Sequence, residues 1–268
     1  MKKKYAVVAV SGGMDSTSLL LHLLREGYTV KVVSFYYGQK HKIELERLKK
    51  NIEYITNSIK TKIDHNIIDI SSVMKYSSSA LTKESQEVPK GHYEEEQMKA
   101  TVVPNRNAIF TSIIYSYALS IALETNSKVI LALGVHSGDH AIYPDCRPEF
   151  YEALINSFKI GNWESEKVEL YLPYLNGDKL SILQDADDSC KEFSIDFDII
   201  MGNTCTSYDP TEDGLSSGKT GSDIERILAF YEFGRKDPVP YVNGWEYALE
   251  NALKVKNDYE NKSKNQNY

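Results

Sequence analysis

Apolar residues along the chain follow two spacings, and the two alternate. Tyr5–Val10 is a short, nearly continuous apolar run of β-preferring residues, which suits a strand buried on both faces of a parallel sheet. Thr29–Phe35 alternates and then turns apolar, His65–Ile70 reads as a third strand, and Lys128–Gly134 and Val168–Pro173 read as two more. Helix-period stretches lie between them: Thr17–Glu26 with Gly27 as its stop, Lys42–Ser58, the apolar Ala108–Leu123, Tyr151–Ile160 and the short Gly177–Asp185. The charges on Lys42–Ser58 are most simply a solvated face. Strands alternating with helices predict an α/β fold, a right-handed, doubly wound, Rossmann-like parallel sheet. Ligands of such sheets sit beyond the carboxyl ends of the strands, which is where Ser11–Ser16 and Tyr37–His41 fall.

Two stretches depart from the alternation. Ser71–Ala100 is polar and without period, a surface excursion or a mobile lid over the site. From about Glu192 the pattern becomes less regular, ending in an amphipathic helix near Trp245–Lys254 and a polar tail, Asn257–Tyr268, expected to fray. The expected organisation is an α/β domain over 1–200, a small irregular C-terminal region over 201–256 packed on it, and a disordered tail over 257–268. No internal repeat is visible.

Composition narrows the function. With 41% hydrophobic and 26% charged residues the chain is globular, and its net charge of −7 argues against a binder of nucleic-acid backbones. No apolar segment approaches membrane-spanning length and no signal peptide is visible. Cys146, Cys190 and Cys205 are odd in number and widely spaced, so no disulfide framework is expected. The expectation is a cytoplasmic protein without a membrane partner.

The most specific chemistry lies in YAVVAVSGGMDS, Tyr5–Ser16. A strand, a glycine turn and a helix start make a phosphate cradle: glycines let the backbone approach an anion, and the first helical N–H groups point at it. Asp15 adds a carboxylate beside that anion, as a Mg²⁺-bridged polyphosphate requires. A bare Gly-Gly before a helix is also an ordinary turn, with Asp or Ser as an ordinary cap; the full string directly after a first strand is far rarer. Val135–Phe150, at the end of another strand, gathers Asp139, Tyr143, Asp145 and Arg147 into nine residues, too polar for core and too crowded for an idle loop.

These pieces resemble the 7-cyano-7-deazaguanine synthase, or QueC, family. The matching strings are SGGMDST at Ser11–Thr17, FYYGQKH at Phe35–His41, VPNRN at Val103–Asn107 and YPDCRPEF at Tyr143–Phe150. A fifth is the pattern formed by Arg226, Ala229, Phe230, Gly234, Asp237, Pro238 and Tyr241. The resemblance implies a PP-loop ATP pyrophosphatase (adenine nucleotide α-hydrolase type) fold and an ATP-dependent carbon–nitrogen ligase. Such an enzyme adenylates the carboxylate of 7-carboxy-7-deazaguanine and couples it to ammonia. A free carboxylate is a poor electrophile, and AMP gives it a leaving group. One cycle makes an amide and a second makes the nitrile. Positioning and charge stabilisation then carry the rate.

By the same resemblance Ser11, Gly12, Gly13, Met14, Asp15, Ser16, Thr17 and Phe35 bind ATP, and Asp15 also meets Mg²⁺. Asp15, Arg106 and Lys179 are the catalytic candidates. Tyr37, Gln39, Arg106, Asn107, Asp139, Tyr143, Asp145 and Arg147 are the substrate-binding ones. Carboxylates suit the donors of a guanine-like edge, Arg106 suits a phosphate or carboxylate, and Tyr37 and Tyr143 suit stacking. The plainer alternatives are structural ion pairs for Arg106 and Arg147, and packing for Cys146. The family tends to dimerise, so a homodimer is expected.

The family usually carries a structural zinc, and here Ser207, Ser217, Thr220 and Asp223 stand at the four cysteine positions. Zinc is therefore expected to be absent, and the region to be held by Phe230, Tyr231 and Phe233 or by an oligomer contact. The substitutions leave a Walker-like GLSSGKT at Gly214–Thr220, which lacks the spacing and the preceding strand of a true phosphate loop. Asn105 replaces the family's usual glycine, and Asn is the next best residue for a left-handed turn. Loss of the cysteines keeps two alternatives open: a relative from an anti-phage or DNA-modification system that joins the activated deazaguanine to another amine, such as a protein N-terminus, and an inactive nucleotide sensor.

Overall fold

A computed structural model describes residues 3–39, 43–82, 87–211 and 213–266. Its strands are β1 (Lys4–Ala9), β2 (Tyr28–Tyr36), β3 (Asp64–Asp69), β4 (Val129–Ala132) and β5 (Val168–Tyr171). Its helices are α1 (Met14–Arg25), α2 (Ile43–Ile59), α3 (Ser71–Met74), α4 (Arg106–Thr125), α5 (Pro148–Gly161), α6 (Lys179–Phe193), α7 (Phe197–Gly202), α8 (Gly221–Glu232) and α9 (Gly244–Gln266). The strands form one five-stranded sheet in the order β3-β2-β1-β4-β5. Every pairing is parallel, so the doubly wound parallel sheet expected from the alternation is present. The order reverses between β1 and β4, and the crevice at that reversal opens beyond their carboxyl ends.

Alternation along β1 sorts its side chains between two apolar layers. Ala6, Val8 and Val10 face one core with Leu19, Leu20 and Leu23 of α1, Leu48 and Ile55 of α2, Ile182 and Leu183 of α6 and Phe230 of α8. Val7 faces the other, with Val33, Ile114 and Ala118 of α4, Leu131 and Tyr151 of α5. Both faces of the sheet are covered at its centre, which is why β1 and β4 read as nearly unbroken apolar runs, while the edge strand β3 is polar and partly exposed.

The structure corrects several expectations. Helix α4 is long and apolar enough, by length and composition, to cross a bilayer, whereas no segment of that length was expected. Its serines and threonines interrupt the apolar run, and its inner residues Thr111, Ile114, Tyr115 and Ala118 are buried. The expected helix near Trp245–Lys254 continues to Gln266 instead of fraying from Asn257. Tertiary contacts hold the extension: the Tyr259 ring stacks on His92 with centroids 3.8 Å apart, and its hydroxyl donates to Glu94 at 3.0 Å. In the described parts of the 71–100 stretch, 71–82 and 87–100, Met74, Leu81, Tyr93 and Met98 are buried. Lys40–Lys42, including His41 of the FYYGQKH string, lie outside the described residues.

Candidate active site

The glycine loop is locked by its own side chains and by its neighbours. Ser11 Oγ accepts from the Gly13 N–H at 3.2 Å, and Ser16 Oγ donates to the Gly13 carbonyl at 3.3 Å. Gly12 has φ +100°, and a Cβ there would lie 2.4 Å from the Glu44 carbonyl oxygen. The loop therefore packs backbone to backbone against the first turn of α2, where only glycine fits. On the other side the Cys205 N–H donates to the Gly12 carbonyl at 3.0 Å.

Four elements converge on Asp15. Lys179, the first residue of α6, places Nζ 2.8 Å from Asp15 Oδ2, 3.4 Å from Glu225 Oε2 and 3.1 Å from His136 Nε2. Asp178 caps α6 by accepting from the Ser181 N–H at 2.8 Å, which fixes where that lysine begins. His136 Nδ1 accepts from the Gly138 N–H at 3.1 Å, and Nε2 lies 3.8 Å from Asp15 and 3.6 Å from Asp139. Burial opposes ionisation of Asp15, but Lys179 and then His136 outweigh it and hold the carboxyl below its usual range. Burial likewise opposes the Lys179 charge, and Asp15 and Glu225 outweigh it. Asp15 Oδ1 is buried with no hydrogen-bond partner, an oxygen free to take a cation or a ligand donor.

Arg106 opens the opposite wall. Asn105 before it adopts the left-handed conformation, φ 60° and ψ 14°, which turns the chain into α4. Among the described residues no carboxylate forms an ion pair with Arg106; its Nε donates to Asn107 Oδ1 at 3.3 Å. A half-buried guanidinium without a carboxylate partner among the described residues can take an anion. Glu44 also lines this wall, and burial pushes its carboxyl up to about 8 against the opposing charge of Arg106. Aromatic rings make the remaining surface: Phe35 stacks on Phe110 at 4.0 Å, Tyr93 donates to Asp139 at 2.8 Å, and Tyr143 shares a 2.6 Å hydrogen bond with Thr101.

Together these groups line a cavity of about 250 Å³ at the carboxyl ends of β1 and β4. Of the residues singled out from sequence, Ser11, Gly13, Asp15, Ser16, Phe35, Tyr37, Gln39, Arg106, Asn107, Asp139, Tyr143 and Lys179 are on its wall. Gln39 spends its amide on its own turn, accepting from the Tyr37 N–H at 2.8 Å and donating to the Phe35 carbonyl at 3.2 Å. Five others are elsewhere. Gly12 faces α2, and Met14 and Thr17 turn into the core with no exposure. Asp145 accepts from the Asn107 N–H at 3.4 Å and Arg147 donates to the His140 carbonyl at 2.8 Å, so both brace the turn behind the wall. Cys146 is on the wall, but burial raises its thiol, so it is no thiolate nucleophile. Glu44, Tyr93, Tyr208 and Glu225 of the wall, and His136 behind it, escaped the sequence reading.

A family profile described as "Queuosine biosynthesis protein QueC" matches residues 5–234. The chain belongs to the QueC family. It is 42% identical to a 7-cyano-7-deazaguanine synthase of Caldicellulosiruptor saccharolyticus over 88% of this chain and 95% of that one. It is 41% identical to 7-cyano-7-deazaguanine synthase 1 of Colwellia psychrerythraea, over 88% and 97%. Among solved structures, a 4-thiouridine synthetase in complex with RNA and ATP aligns at TM-score 0.44 and 16% identity, over 94% of this chain and 53% of that one. NMN synthetase from Francisella tularensis aligns at 0.39 and 12%, over 94% and 87%.

Two segments of the C-terminal region, one of them the Arg226–Tyr241 string, resolve into buried knots. Arg226 Nε and Nη2 grip Asp237 at 2.6 and 2.9 Å, and Tyr241 donates to the same carboxylate at 2.7 Å. The remaining guanidinium donors reach Thr204, Thr206 and the Met201 carbonyl. In this QueC-family chain Ser207, Ser217 and Thr220 meet around the carboxylate of Asp223. Asp223 Oδ2 accepts from Ser207 at 3.1 Å, Ser217 at 2.8 Å and Thr220 at 2.9 Å, and from the N–H groups of Lys219 and Thr220. Thr220 in turn caps α8. Of the aromatic residues expected to hold this region, Phe230 is fully buried, while Tyr231 is half exposed to solvent.

Proposed function

We propose that this chain is an ATP-dependent ligase that adenylates the carboxylate of 7-carboxy-7-deazaguanine and couples it to ammonia, giving 7-cyano-7-deazaguanine. The observation that carries the reading is one cavity joining the glycine loop, the Asp15–Lys179 pair and an Arg106 without a counter-ion among the described residues. Family membership supplies the substrate class: the two relatives named above are 7-cyano-7-deazaguanine synthases.

The loop's N–H groups and Lys179 take the charge of the polyphosphate, and Arg106 takes that of the substrate carboxylate. Held in line, a carboxylate oxygen attacks the α-phosphorus and the bond to pyrophosphate breaks. The amine then attacks the acyl carbon, and AMP leaves with the C–O electron pair. A second round on the amide oxygen, with loss of the remaining N–H protons, leaves the nitrile. The unpartnered Asp15 Oδ1 fits a Mg²⁺ ligand, and that ion would neutralise phosphate charge when bound. Phe35, Phe110 and Tyr143 offer flat faces to a purine-like ring.

Release of AMP that depends on the deazaguanine acid tests the assignment. Asp15→Ala and Lys179→Met should each lower it on the order of 100-fold or more. AMP release near the unaltered rate in both variants would refute it. A stable adduct on a polypeptide amine in place of the nitrile would favour the alternative acceptor.

A further inference from the structure

Making a nitrile from ammonium strips every proton from the nitrogen, so the acyl end of the cavity needs a proton acceptor. Four carboxyl groups line the cavity among the described residues: Asp15, Glu44, Asp139 and Glu225. Three belong to the network already described. Asp15 and Glu225 face Lys179, while Asp139 accepts from Tyr93 and lies 3.6 Å from His136. Glu44 stands apart on the opposite wall. Among the described residues, the charged and titratable groups interacting with it are Arg106 of α4, Tyr37 after β2 and Cys205 beyond α7. Arg47, one turn on in α2, spends its guanidinium on the Thr204 and Gly214 carbonyls.

We propose that Glu44 is the general base of the amine-transfer step. The inference rests on the ligase reading above and names the group that receives the amine's proton. The Glu44 carbonyl occupies the space a Gly12 side chain would take, so α2 holds this residue rigidly against the loop that would bear the phosphates. It also shares a wall with Arg106, the anchor for the substrate carboxylate. As the nitrogen lone pair forms the C–N bond and AMP leaves, one nitrogen-bound proton passes to the Glu44 carboxylate and then to solvent. The position of its titration supports the role, because a base near neutrality is ionised in useful amount and still accepts a proton readily.

The test compares the unaltered chain, Glu44→Gln and Glu44→Asp with ATP and 7-carboxy-7-deazaguanine. Ammonium and hydroxylamine serve as alternative acceptors. Hydroxylamine is largely neutral at pH 7 and needs no base before it attacks. Glu44→Gln should still release AMP in the first turnover and capture hydroxylamine within a few-fold of the unaltered rate. Its capture of ammonium should fall on the order of 100-fold or more, and the limb near pH 8 in kcat/KM for ammonium should vanish. Glu44→Asp should recover part of the ammonium reaction. Equal loss of both acceptors with AMP release intact would make Glu44 a positioning residue, and unchanged ammonium capture would give it no role; either overturns the inference alone. No AMP from the unaltered chain would overturn the ligase reading and this inference together.

Discussion

Glu44 is held on the wall of a cavity where burial raises its carboxyl to about 8, and this has a consequence that needs no substrate. Its folded value lies above the unfolded one, so the fold favours its protonated form. Stability is lost as pH rises from the unfolded value through about 8, because the buried group must then ionise. Glu44→Gln removes that cost. Its melting temperature should exceed that of the unaltered chain by an amount that grows from about pH 4.5 to about pH 8 and then levels. A difference in melting temperature that is flat with pH would contradict this. The sequence did not reveal Glu44, because a carboxylate in a charged helix reads as solvent-facing until the strand end beside it is known. Met14 and Thr17 sit inside a phosphate-loop string, yet the first turn of α1 sends their side chains to the core. Motif membership named the loop, and helical period decided which of its side chains reach the ligand.

At the scale of elements, α8 buries Ala229 and Phe230 against the sheet's core and Ile224 and Ile227 against α9, and two polar knots tie it to the surrounding 201–241 segments. Arg226 is 1% exposed, and the donor atoms described for it all have acceptors. Removing it leaves Asp237 buried without its charge partner, so Arg226→Ala should cost about 3–5 kcal/mol. At roughly 2–4 °C of melting temperature per kcal/mol for a chain of this size, the drop should be near 10 °C by circular dichroism. Arg226→Met combined with Asp237→Leu should lose less than Arg226→Ala alone. A larger loss in the double variant would show that the pair itself stabilises the fold. The Asp223 knot invites a parallel test. Asp223→Ala strands three hydroxyls and two N–H groups, and a clear drop in melting temperature should follow. A chelator should leave the melting of the unaltered chain unchanged, and a chelator-induced drop would mean that a metal holds this region. Spacing alone located these four positions but not their geometry, since which group stands at the centre depends on how 204–208 folds against α8.

For the whole molecule, the sheet was legible because both faces of its central strands are covered, which leaves apolar runs at β1 and β4. The position of the candidate crevice followed from connectivity, since the order reverses beside β1. His136, Glu225 and Tyr208 were not legible: each is far in sequence from the loop, and only the folded sheet brings α8 and the turn after β4 to Asp15. The end of α9 was misread because a polar tail looks solvated until the 92–95 segment offers it a ring and two carboxylates.

The claim beneath all of this is that the cavity spends ATP to make an inert carboxylate on a purine-like ring open to capture by an amine. Incubation with ATP, 7-carboxy-7-deazaguanine and isotopically labelled ammonium, followed by mass spectrometry and nucleotide analysis, tests it most directly. The account predicts a nitrile carrying the labelled nitrogen, with two AMP formed for each nitrile. Unchanged acid with no AMP at any ammonium concentration would contradict it.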